Sequence, residues 1–410
     1  MSVLDKLIAE LCPDGVEYIA IKDCTDNVEK IKWAYTDGEK YQYIDLTSVD
    51  RDTHIIKETQ VVDKNNAPSR AQQIVNEGDI LLGATRPLLK RYCMINNYYN
   101  DQVCSTGFCV LRAKTKVVLR RWLYHLISST EFFNHVEKFQ KGASYPAISD
   151  IDVKAYIIPV PPLPVQSEIV RILDNFTELT AELTAELTAR KIQYEYYRDE
   201  LYSLNNSIVS WKSLGDIAVV TKLAGFEFTN YVNYSNEGSI IALRGLNVKN
   251  GQLNLDDVKY IDKSDFSKLT RSKLQVDDML FTYVGTIGQV ALVDLDDKYY
   301  LAPNVALIRL MDTKILPKFM MYYFQTNGFF SNQINKLLQS SSMKNLTMEK
   351  IRKFAIPIPS IAEQERIIDI LDRFDALCND ISTGLPAEIK ARQKQYEYYR
   401  DKLLTFKERA

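Results

Sequence analysis

The residues that most often perform catalysis are scarce in this sequence and form no known catalytic or metal-binding motif. The three histidines and six cysteines are scattered, with no C-x-x-C pair and no zinc-ligand spacing. Neither G-x-G-x-x-G, nor G-x-x-x-x-G-K-[ST], nor G-x-S-x-G occurs. The segment Gly285–Gly288 precedes a strand-like run, so it would not offer a phosphate the amide groups of a helix start. The sequence therefore predicts a chain without a catalytic residue and without a bound metal or cofactor of its own.

The distribution of charge is more informative than the net charge of −2. Residues 165–204 carry −4 and residues 361–406 carry −2, which leaves +4 on the rest of the chain. A basic surface attracts phosphate and acidic helices avoid it, although solvated helices are acidic in many proteins. Scattered cysteines, the lack of a signal peptide and the lack of an apolar run of 18 residues predict a cytoplasmic chain.

One long segment occurs twice. Residues Ile158–Phe176 are IPVPPLPVQSEIVRILDNF, and residues Ile356–Phe374 are IPIPSIAEQERIIDILDRF. Further on, Gln193–Asp199 and Gln395–Asp401 are both QYEYYRD. Each copy follows a stretch of about 150 residues that resembles its counterpart far less. This repetition indicates two similar helical segments that carry two dissimilar globular segments.

The repeat divides the chain into residues 1–157, 158–204, 205–355 and 356–410. The two globular segments have mixed α/β character, because short β-rich runs alternate with turn residues and are followed by one helical pattern, at Val118–Phe139 and at Pro317–Leu338. The β-rich runs are Tyr41–Leu46, Asp79–Leu82, Phe108–Leu111, Ile240–Leu243, Met279–Tyr283 and Val305–Leu310.

The two helical segments are predicted to pair with each other. Val165–Leu204 contains no Pro or Gly and carries a drifting apolar stripe, which predicts one helix of about 60 Å that needs a partner helix. The second segment is interrupted by Gly384–Pro386, which predicts a break. We therefore predict an antiparallel intramolecular coiled coil with the globular segments at opposite ends. Leu4–Leu11 resembles the ends of both segments, so it either completes the bundle or forms a short amphipathic helix.

A four-residue unit is repeated inside the first helical segment, since Thr180–Leu183 and Thr184–Leu187 are both TAEL. One such unit lengthens a helix by about 6 Å and turns its end by about 40°. One base pair of B-DNA adds about 3.4 Å. The repeat is thus either an adjustable spacer or simply a helix with good propensity and leucines on one side. The presence of two globular segments favours the spacer.

These features together resemble the specificity subunit of type I restriction–modification systems, in the branch with TAEL spacer repeats. The resemblance includes the pattern P-x-P-x-x-x-x-Q-x-x-I-V/I-x-I-L-D at Pro159–Asp174 and Pro357–Asp372. It implies an α+β fold with two globular target recognition domains, 1–157 and 205–355, and two spacer helices, 158–204 and 356–410, arranged circularly with pseudo-two-fold symmetry. It also implies a non-catalytic, DNA-binding subunit for phage defence, in which each domain reads one half of a bipartite target.

The same resemblance implies the partners and cofactors. Two modification subunits would dock on the spacer helices, bind S-adenosylmethionine and methylate adenine in double-stranded DNA. Restriction subunits would use ATP and Mg to translocate and cut DNA. The chain itself would bind no cofactor and no membrane.

Candidate contact residues follow from family position and polarity. Arg can bond guanine and Asn or Gln adenine through paired hydrogen bonds, whereas Lys suits phosphate. The alternative for each single candidate is an ordinary solvated loop residue, and the set as a whole is the stronger prediction. The loop at Gly83–Pro87 lacks the Gly-Thr-x-Gly of Gly285–Gly288, so its geometry does not follow from that of the second domain. The DNA-contact candidates are Arg86, Lys90, Arg91, Lys141, Ser144, Tyr145, Arg244, Thr286, Gln289, Ser342, Lys344 and Asn345. The spacer and docking candidates are Leu179, Leu183, Leu187, Tyr194, Tyr197, Tyr396 and Tyr399.

Two other functions stay open. The first is an enzyme, such as a methyltransferase or nuclease fragment, and the missing motifs count against it. The second is a coiled-coil scaffold that joins two protein partners without binding DNA. The salt dependence of DNA binding would separate the scaffold from the recognition subunit.

Overall fold

The computed structural model describes residues 2–203, 209–339, 345–380 and 382–409. The chain divides into two compact units, which we call the first unit (Met1–Thr184 with Glu388–Ala410) and the second unit (Ala185–Ala387). Both units combine helices with small sheets, which confirms the predicted α+β class. The limits given above for the recognition domains and spacer helices remain predictions. None of the described helices has the length and apolar character needed to cross a membrane.

The elements of the N-terminal half end with one long helix. In chain order they are α1 (Val3–Leu11), β1 (Glu17–Ala20), β2 (Thr25–Asp26), β3 (Tyr41–Ile44), β4 (Gln60–Val62), β5 (Ala71–Val75), β6 (Ile80–Gly83), β7 (Tyr92–Met94), β8 (Gln102–Ser105), β9 (Phe108–Ala113), α2 (Arg120–Ser128), α3 (Thr130–Phe139), α4 (Asp150–Lys154), β10 (Ile157–Val160) and α5 (Leu163–Leu201).

The elements of the C-terminal half end with two helices of 19 residues each. In chain order they are β11 (Ser210–Ser213), α6 (Leu214–Ile217), β12 (Ala218–Lys222), α7 (Gly225–Tyr231), β13 (Ile241–Leu243), β14 (Val248–Lys249), β15 (Gln252–Leu253), β16 (Lys259–Tyr260), β17 (Met279–Thr282), β18 (Val290–Leu292), β19 (Tyr299–Leu301), β20 (Val305–Leu310), α8 (Pro317–Phe324), α9 (Asn327–Phe329), α10 (Asn335–Gln339), α11 (Met348–Arg352), β21 (Ala355–Ile358), α12 (Ile361–Asn379) and α13 (Leu385–Leu403).

Both units are built on sheets of matching topology. The main sheet has the order β2-β9-β6-β7 in the first unit and β12-β20-β17-β18 in the second. The central strands β6 and β17 are buried at every position, because their continuous apolar sequences suit a strand that is covered on both faces. A second sheet in each unit, of four strands in the first and three in the second, contains one parallel pair, β3 with β8 and β13 with β19. Two dissimilar sequences therefore fold in the same way.

The helical pattern after each main sheet is divided by a cap. In the first unit α3 begins after Ser129, whose Oγ accepts a hydrogen bond of 3.2 Å from the Phe132 N–H. In the second unit the Thr326 Oγ1 accepts one of 3.1 Å from the Phe329 N–H. The predicted helical pattern is therefore confirmed in both units, where it forms separate helices. The reason is that a Ser or Thr side chain that satisfies free backbone N–H groups starts a new helix.

The repeated glutamine of the Pro-rich segments connects the sheet region to the long helices. Gln166 is fully buried, donates from Nε2 to the Pro161 carbonyl at 2.8 Å and accepts at Oε1 from the Leu119 N–H at 2.9 Å. Gln364 is also fully buried. It donates to the Pro359 carbonyl at 3.0 Å and accepts from the Leu316 N–H at 2.9 Å. The repeated sequence thus gives both units the same connection between sheet and helix, because a buried amide needs hydrogen-bond partners.

Antiparallel helix pairing occurs inside the second unit. The Tyr197 ring in α5 stacks on Phe374 in α12, with 5.6 Å between the ring centroids. Lys191, earlier in α5, lies close enough to Cys378, later in α12, for its charge to act on the thiol. Contacts that run in opposite directions along the two helices define an antiparallel pair, and this confirms the predicted intramolecular coiled coil.

The first unit contains the equivalent pair. Phe176 in α5 stacks on Tyr399 in α13, with 5.4 Å between the centroids.

α12 ends at Asn379 and α13 begins at Leu385, so the predicted break at Gly384–Pro386 is confirmed.

The two ends of the chain meet in the first unit. The Val16 N–H donates to the Lys407 carbonyl at 2.9 Å, and the Arg409 N–H donates to the Val16 carbonyl at 2.8 Å. Leu4 of α1 is buried in the same apolar cluster as Leu404. The N-terminal helix thus completes the bundle, which confirms the predicted circular arrangement.

Candidate nucleic-acid interface

Two predicted contact loops of the first unit lie against each other. The loop after β6 is joined to residues 141–147 by an antiparallel bridge between Thr85 and Ala147. Next to this bridge, the Arg86 N–H donates to the Pro146 carbonyl at 2.6 Å, and the Ile148 N–H donates to the Ala84 carbonyl at 2.9 Å. Backbone hydrogen bonds therefore hold Arg86 beside the loop that contains Ser144 and Tyr145.

The second of these loops is closed on itself. Lys141 and Ala147 exchange two backbone hydrogen bonds of 2.8 Å each. Gly142 has a φ of +102°, and a Cβ there would lie 3.1 Å from the Tyr145 carbonyl oxygen, so the turn requires glycine at this position. The side chains of Lys141, Ser144 and Tyr145 are exposed, as a contact loop requires.

Two cations of the loop after β6 each lie over an aromatic ring from another segment. The Arg86 guanidinium lies over the Tyr145 ring, 4.4 Å from its centroid. The Lys90 Nζ lies 5.0 Å from the centroid of Phe133. Both Arg86 and Lys90 are exposed, and both have left-handed backbone conformations, with φ of 47° and 52°. Such contacts orient a cation while its N–H groups stay accessible.

Arg91 has a different environment. It is only partly exposed, and its Nη1 donates to the carbonyls of Leu46 and Val49, at 2.8 Å each. These bonds attach the loop after β3 to the residue that precedes β7, so the described contacts of Arg91 stabilise the domain. Its contact with DNA stays a prediction.

The equivalent loop of the second unit is stabilised by a hydroxyl group. Thr282 Oγ1 donates to the Thr286 carbonyl at 2.5 Å and accepts from the Gln289 N–H at 2.9 Å. Thr286 is exposed, whereas Gln289 is partly buried and its Oε1 accepts from the Asn250 N–H at 3.2 Å. Thr286 is thus the more accessible candidate of the two.

The third predicted loop of the second unit is described only in part. An antiparallel bridge joins Val284 to Asn345, and the Leu346 N–H donates to the Tyr283 carbonyl at 3.1 Å. This bridge follows β17 as the Thr85–Ala147 bridge follows β6. Ser342 and Lys344 lie outside the described residues.

Arg244 is held by its own domain. Its Nη2 donates to the Asp257 carbonyl at 2.7 Å and to the Asp257 Oδ1 at 2.9 Å, while its buried Nε has no partner among the described residues. An arginine that is already paired with a carboxylate has less capacity for a new acceptor. Its role in DNA contact stays a prediction.

The spacer and docking candidates divide into an inner and an outer group. Tyr194 is buried and Tyr396 is largely buried inside their units, and the three leucines of the TAEL region are half-buried. Tyr197 and Tyr399 are 40% and 37% exposed. The three leucines are Leu179, Leu183 and Leu187.

A polar network that the sequence did not reveal links α2 to both long helices of the first unit. His125 is fully buried between Asp174 Oδ1 (2.8 Å from Nε2) and the Tyr396 hydroxyl (2.8 Å from Nδ1). Burial lowers the pKa of His125, so the neutral ring donates to Asp174 and accepts from Tyr396. Burial opposes ionisation of Asp174, yet hydrogen bonds from His125 and Arg121 lower the pKa of this carboxyl. The partners are far apart in sequence, which explains why no local pattern indicates them.

No cation-binding cluster is found in the part of the chain that the structure describes. There, no group of three or more His, Cys, Asp or Glu side chains lies together in a way that could hold a metal ion. The six cysteines are buried and unpaired, and burial raises the pKa of the Cys93 thiol to about 12. A buried thiol that stays protonated is not a nucleophile.

A family model agrees with the repeat. The model described as the type I restriction modification DNA specificity domain matches residues 13–190 and again residues 206–391. Each match includes one globular segment and most of one repeated helical segment.

Curated relatives and a solved structure extend this similarity. The chain is 37% identical over 275 residues to the EcoR124I/EcoR124II specificity subunit of Escherichia coli, a match that covers 63% of this chain and 65% of that subunit, which is less than two thirds. It is 30% identical over 298 residues to S.HindORF215P of Haemophilus influenzae, named as a type I restriction enzyme specificity subunit, over 70% of this chain and 72% of the relative. A chain from work on complex assembly and conformational transition of the type I R-M system superposes with a TM-score of 0.66 at 19% identity, over 96% of this chain and 98% of that one. At that identity the superposition demonstrates a shared fold.

Proposed function

The chain belongs to the family of type I restriction modification DNA specificity domains, and we propose that it is the DNA-recognition subunit of such a system, in which each unit reads one half of a bipartite target. As a member of this family it is a specificity subunit and not an enzyme. Methylation and cleavage belong to partner subunits in this proposal, and the chain acts in the cytoplasm, where the DNA is.

The observation that carries the proposal is the pair of matching loop bridges. Thr85 is bridged to Ala147 in the first unit, and Val284 is bridged to Asn345 in the second, at the same place after the central strand. The exposed side chains on the two frames differ, with Arg86 in one and Thr286 in the other. Matching backbone bridges that carry different side chains suit two domains that read different base sequences.

The TAEL region supports the role of a spacer. α5 runs from Leu163 to Leu201 without interruption, through both TAEL units. A helix transmits a change of length in full, so one unit of four residues adds about 6 Å along its axis. In our proposal this length sets the number of unspecified base pairs between the half-sites.

The repeated QYEYYRD segments support docking of two identical modification subunits. Tyr196 and Tyr398, at the same position of the two copies, are each 61% exposed. Each ring meets the next tyrosine edge-on, at 5.5 and 5.3 Å, so most of its surface stays uncovered. Identical exposed residues in otherwise dissimilar units suit the same partner bound twice. That partner would bind S-adenosylmethionine, and restriction subunits with ATP and Mg would join the complex.

Salt dependence tests the proposal against the alternative of a protein scaffold. The experiment measures the Kd of the complex with its modification subunits for a genomic DNA fragment between 50 and 200 mM salt. Recognition through several phosphates predicts that log Kd changes linearly with log salt concentration, with a slope of about 0.9 for each phosphate contacted. Affinity without such a slope would favour the scaffold.

A further inference from the structure

Arg86 occupies a backbone position that the second unit fills with glycine. Arg86 lies three residues after Gly83, the last residue of β6, and Gly285 lies three residues after Thr282, the last residue of β17. Both residues have positive φ, 47° for Arg86 and 79° for Gly285. The turn therefore suits glycine best, and arginine is kept in the first unit at a conformational cost. Such a cost is typical of a residue that is needed for function.

The Arg86 side chain is oriented but not neutralised. Its guanidinium lies 4.4 Å from the centroid of the Tyr145 ring, and Tyr145 is itself 71% exposed. Within the described ranges, Arg86 has no carboxylate partner and its guanidinium donates no hydrogen bond. By contrast, Arg91 and Arg244 of the same candidate set use their guanidinium groups on carbonyl or carboxylate oxygens of the protein. Stacking involves the face of a guanidinium and leaves its N–H edges free for a planar acceptor pair.

The backbone on both sides of this contact is fixed. The Arg86 N–H is bonded to the Pro146 carbonyl, and the Arg86 carbonyl accepts from the Leu89 N–H at 2.9 Å. On the other side, the Lys141–Ala147 closure holds the turn that carries Tyr145. A side chain on a fixed loop loses less entropy on binding than a free one.

We propose that Arg86 determines specificity at one G·C pair of the half-site read by the first unit, and that Tyr145 is its positioning residue. This role of Arg86 rests on the proposed function, and guanine is the base that Arg86 reads. The guanidinium edge donates two hydrogen bonds to O6 and N7 of guanine in the major groove. The Tyr145 ring keeps the guanidinium plane in the orientation that this pair of bonds needs.

The test uses the complex with its modification subunits and duplexes in which each base pair of the mapped target is changed in turn. The Kd values give a discrimination profile for wild type, Arg86→Ala, Arg86→Lys, Arg86→Gly, Tyr145→Ala and Tyr145→Phe. Arg86→Gly suits the left-handed backbone, so it keeps the loop fold even if the alanine variant does not. Arg171→Ala is the matched control, because it also removes one exposed arginine charge from the first unit.

The expected result is a change at a single base pair. Arg86→Ala, Arg86→Lys and Arg86→Gly lose a discrimination of roughly tenfold to a hundredfold at one G·C pair and keep the rest of the profile. Tyr145→Ala reduces discrimination at that same pair, Tyr145→Phe keeps it, and Arg171→Ala leaves the whole profile unchanged.

Three results would overturn the inference in distinguishable ways. An unchanged profile for the Arg86 variants would remove Arg86 from base recognition. Uniformly weaker binding of all duplexes would make Arg86 a phosphate contact, and equal effects of the two Tyr145 variants would deny the ring a positioning role. If wild type itself did not discriminate among the duplexes, the proposed function would fail together with this inference.

Discussion

The Asp199 carboxylate accepts a hydrogen bond of 2.7 Å from the Asn327 backbone N–H, and its second oxygen accepts one of 2.8 Å from the Asn327 Nδ2. In the first unit Asp401 takes the same place, where its Oδ2 accepts a bond of 2.6 Å from the Thr130 Oγ1. The final aspartate of each QYEYYRD segment thus caps a helix, which is α9 in the second unit and α3 in the first. This shared role explains why both copies of the segment end with the same aspartate although the domains differ.

Removal of this cap is expected to destabilise the second unit. Asp199→Ala leaves the Asn327 N–H without its acceptor, so we expect the free energy of unfolding to fall by about 1 kcal/mol. Chemical denaturation would measure the change. Glu200→Ala is the matched control, because Glu200 is the exposed neighbour with the same charge. Equal effects of the two substitutions would mean that charge, and not the cap, is responsible.

The stability of the first unit is expected to depend on pH through His54. Its ring stacks on Tyr92 with 3.8 Å between centroids, and burial lowers the pKa of His54 to about 4. The unfolded histidine titrates near 6.5, so the unfolded chain takes up the proton first as the pH falls. The stability contributed by the neutral His54 is therefore fully present above pH 6.5 and is lost as the pH falls from 6.5 to 4. The free energy of unfolding decreases over that range by up to about 3 kcal/mol.

His54→Asn checks this pH dependence, because asparagine tolerates the left-handed backbone (φ 56°) and does not titrate. Denaturation at a series of pH values should give a flatter profile for the variant. Identical slopes for wild type and variant would show that other groups control the acid sensitivity.

The conformational cost at Arg86 gives a prediction on stability that is separate from DNA binding. Arg86→Gly and Arg86→Ala both remove the side chain, but only glycine adopts a φ of 47° readily. We expect the glycine variant to be more stable than the alanine variant by about 1 kcal/mol. Equal melting profiles would indicate that the backbone at this position is not strained.

Deletion of one TAEL unit is expected to change the spacing of the target and nothing else. Loss of Thr184–Leu187 shortens α5 by about 6 Å, close to the length of one or two base pairs. Mapping of methylated adenines should then show the same two half-sites with a shorter gap. Altered half-sites at an unchanged gap would contradict the spacer role.

The two exposed tyrosines are expected to matter for assembly. Tyr196→Ala combined with Tyr398→Ala removes apolar surface from the docking position without touching the cores, so binding of modification subunits should weaken while folding is retained. Co-purification and circular dichroism would measure the two properties. Tyr35→Ala, at a tyrosine that is 82% exposed elsewhere, is the control and should bind normally. Full assembly of the double variant would place the docking surface elsewhere.

Much of the architecture follows from local sequence. The apolar run of β6, Ile80–Gly83, identifies a central strand, and the stripe after Pro164 identifies a long helix. Gly384 and Pro386 mark the break between α12 and α13 in the second helical segment. These features depend on neighbours in sequence, so a continuous apolar run, a stripe of period 3.6 and a helix-breaking pair reveal them.

The candidate site was less accessible to such reasoning. That Arg86 meets Tyr145 depends on the Thr85–Ala147 bridge, which consists of backbone groups about 60 residues apart and leaves no side-chain pattern. For the same reason, sequence could not separate the free guanidinium of Arg86 from that of Arg91, whose carbonyl partners lie over 40 residues away.

Methylated-base sequencing tests the central claim most directly. DNA would be sequenced from cells that express this chain together with its modification subunit, with cells that lack the chain as the reference. The account predicts methylated adenines in one bipartite, asymmetric motif whose two halves are separated by a fixed number of unspecified bases. An intact complex that left no such motif, or that methylated one continuous sequence, would contradict the claim that two units each read one half of the target.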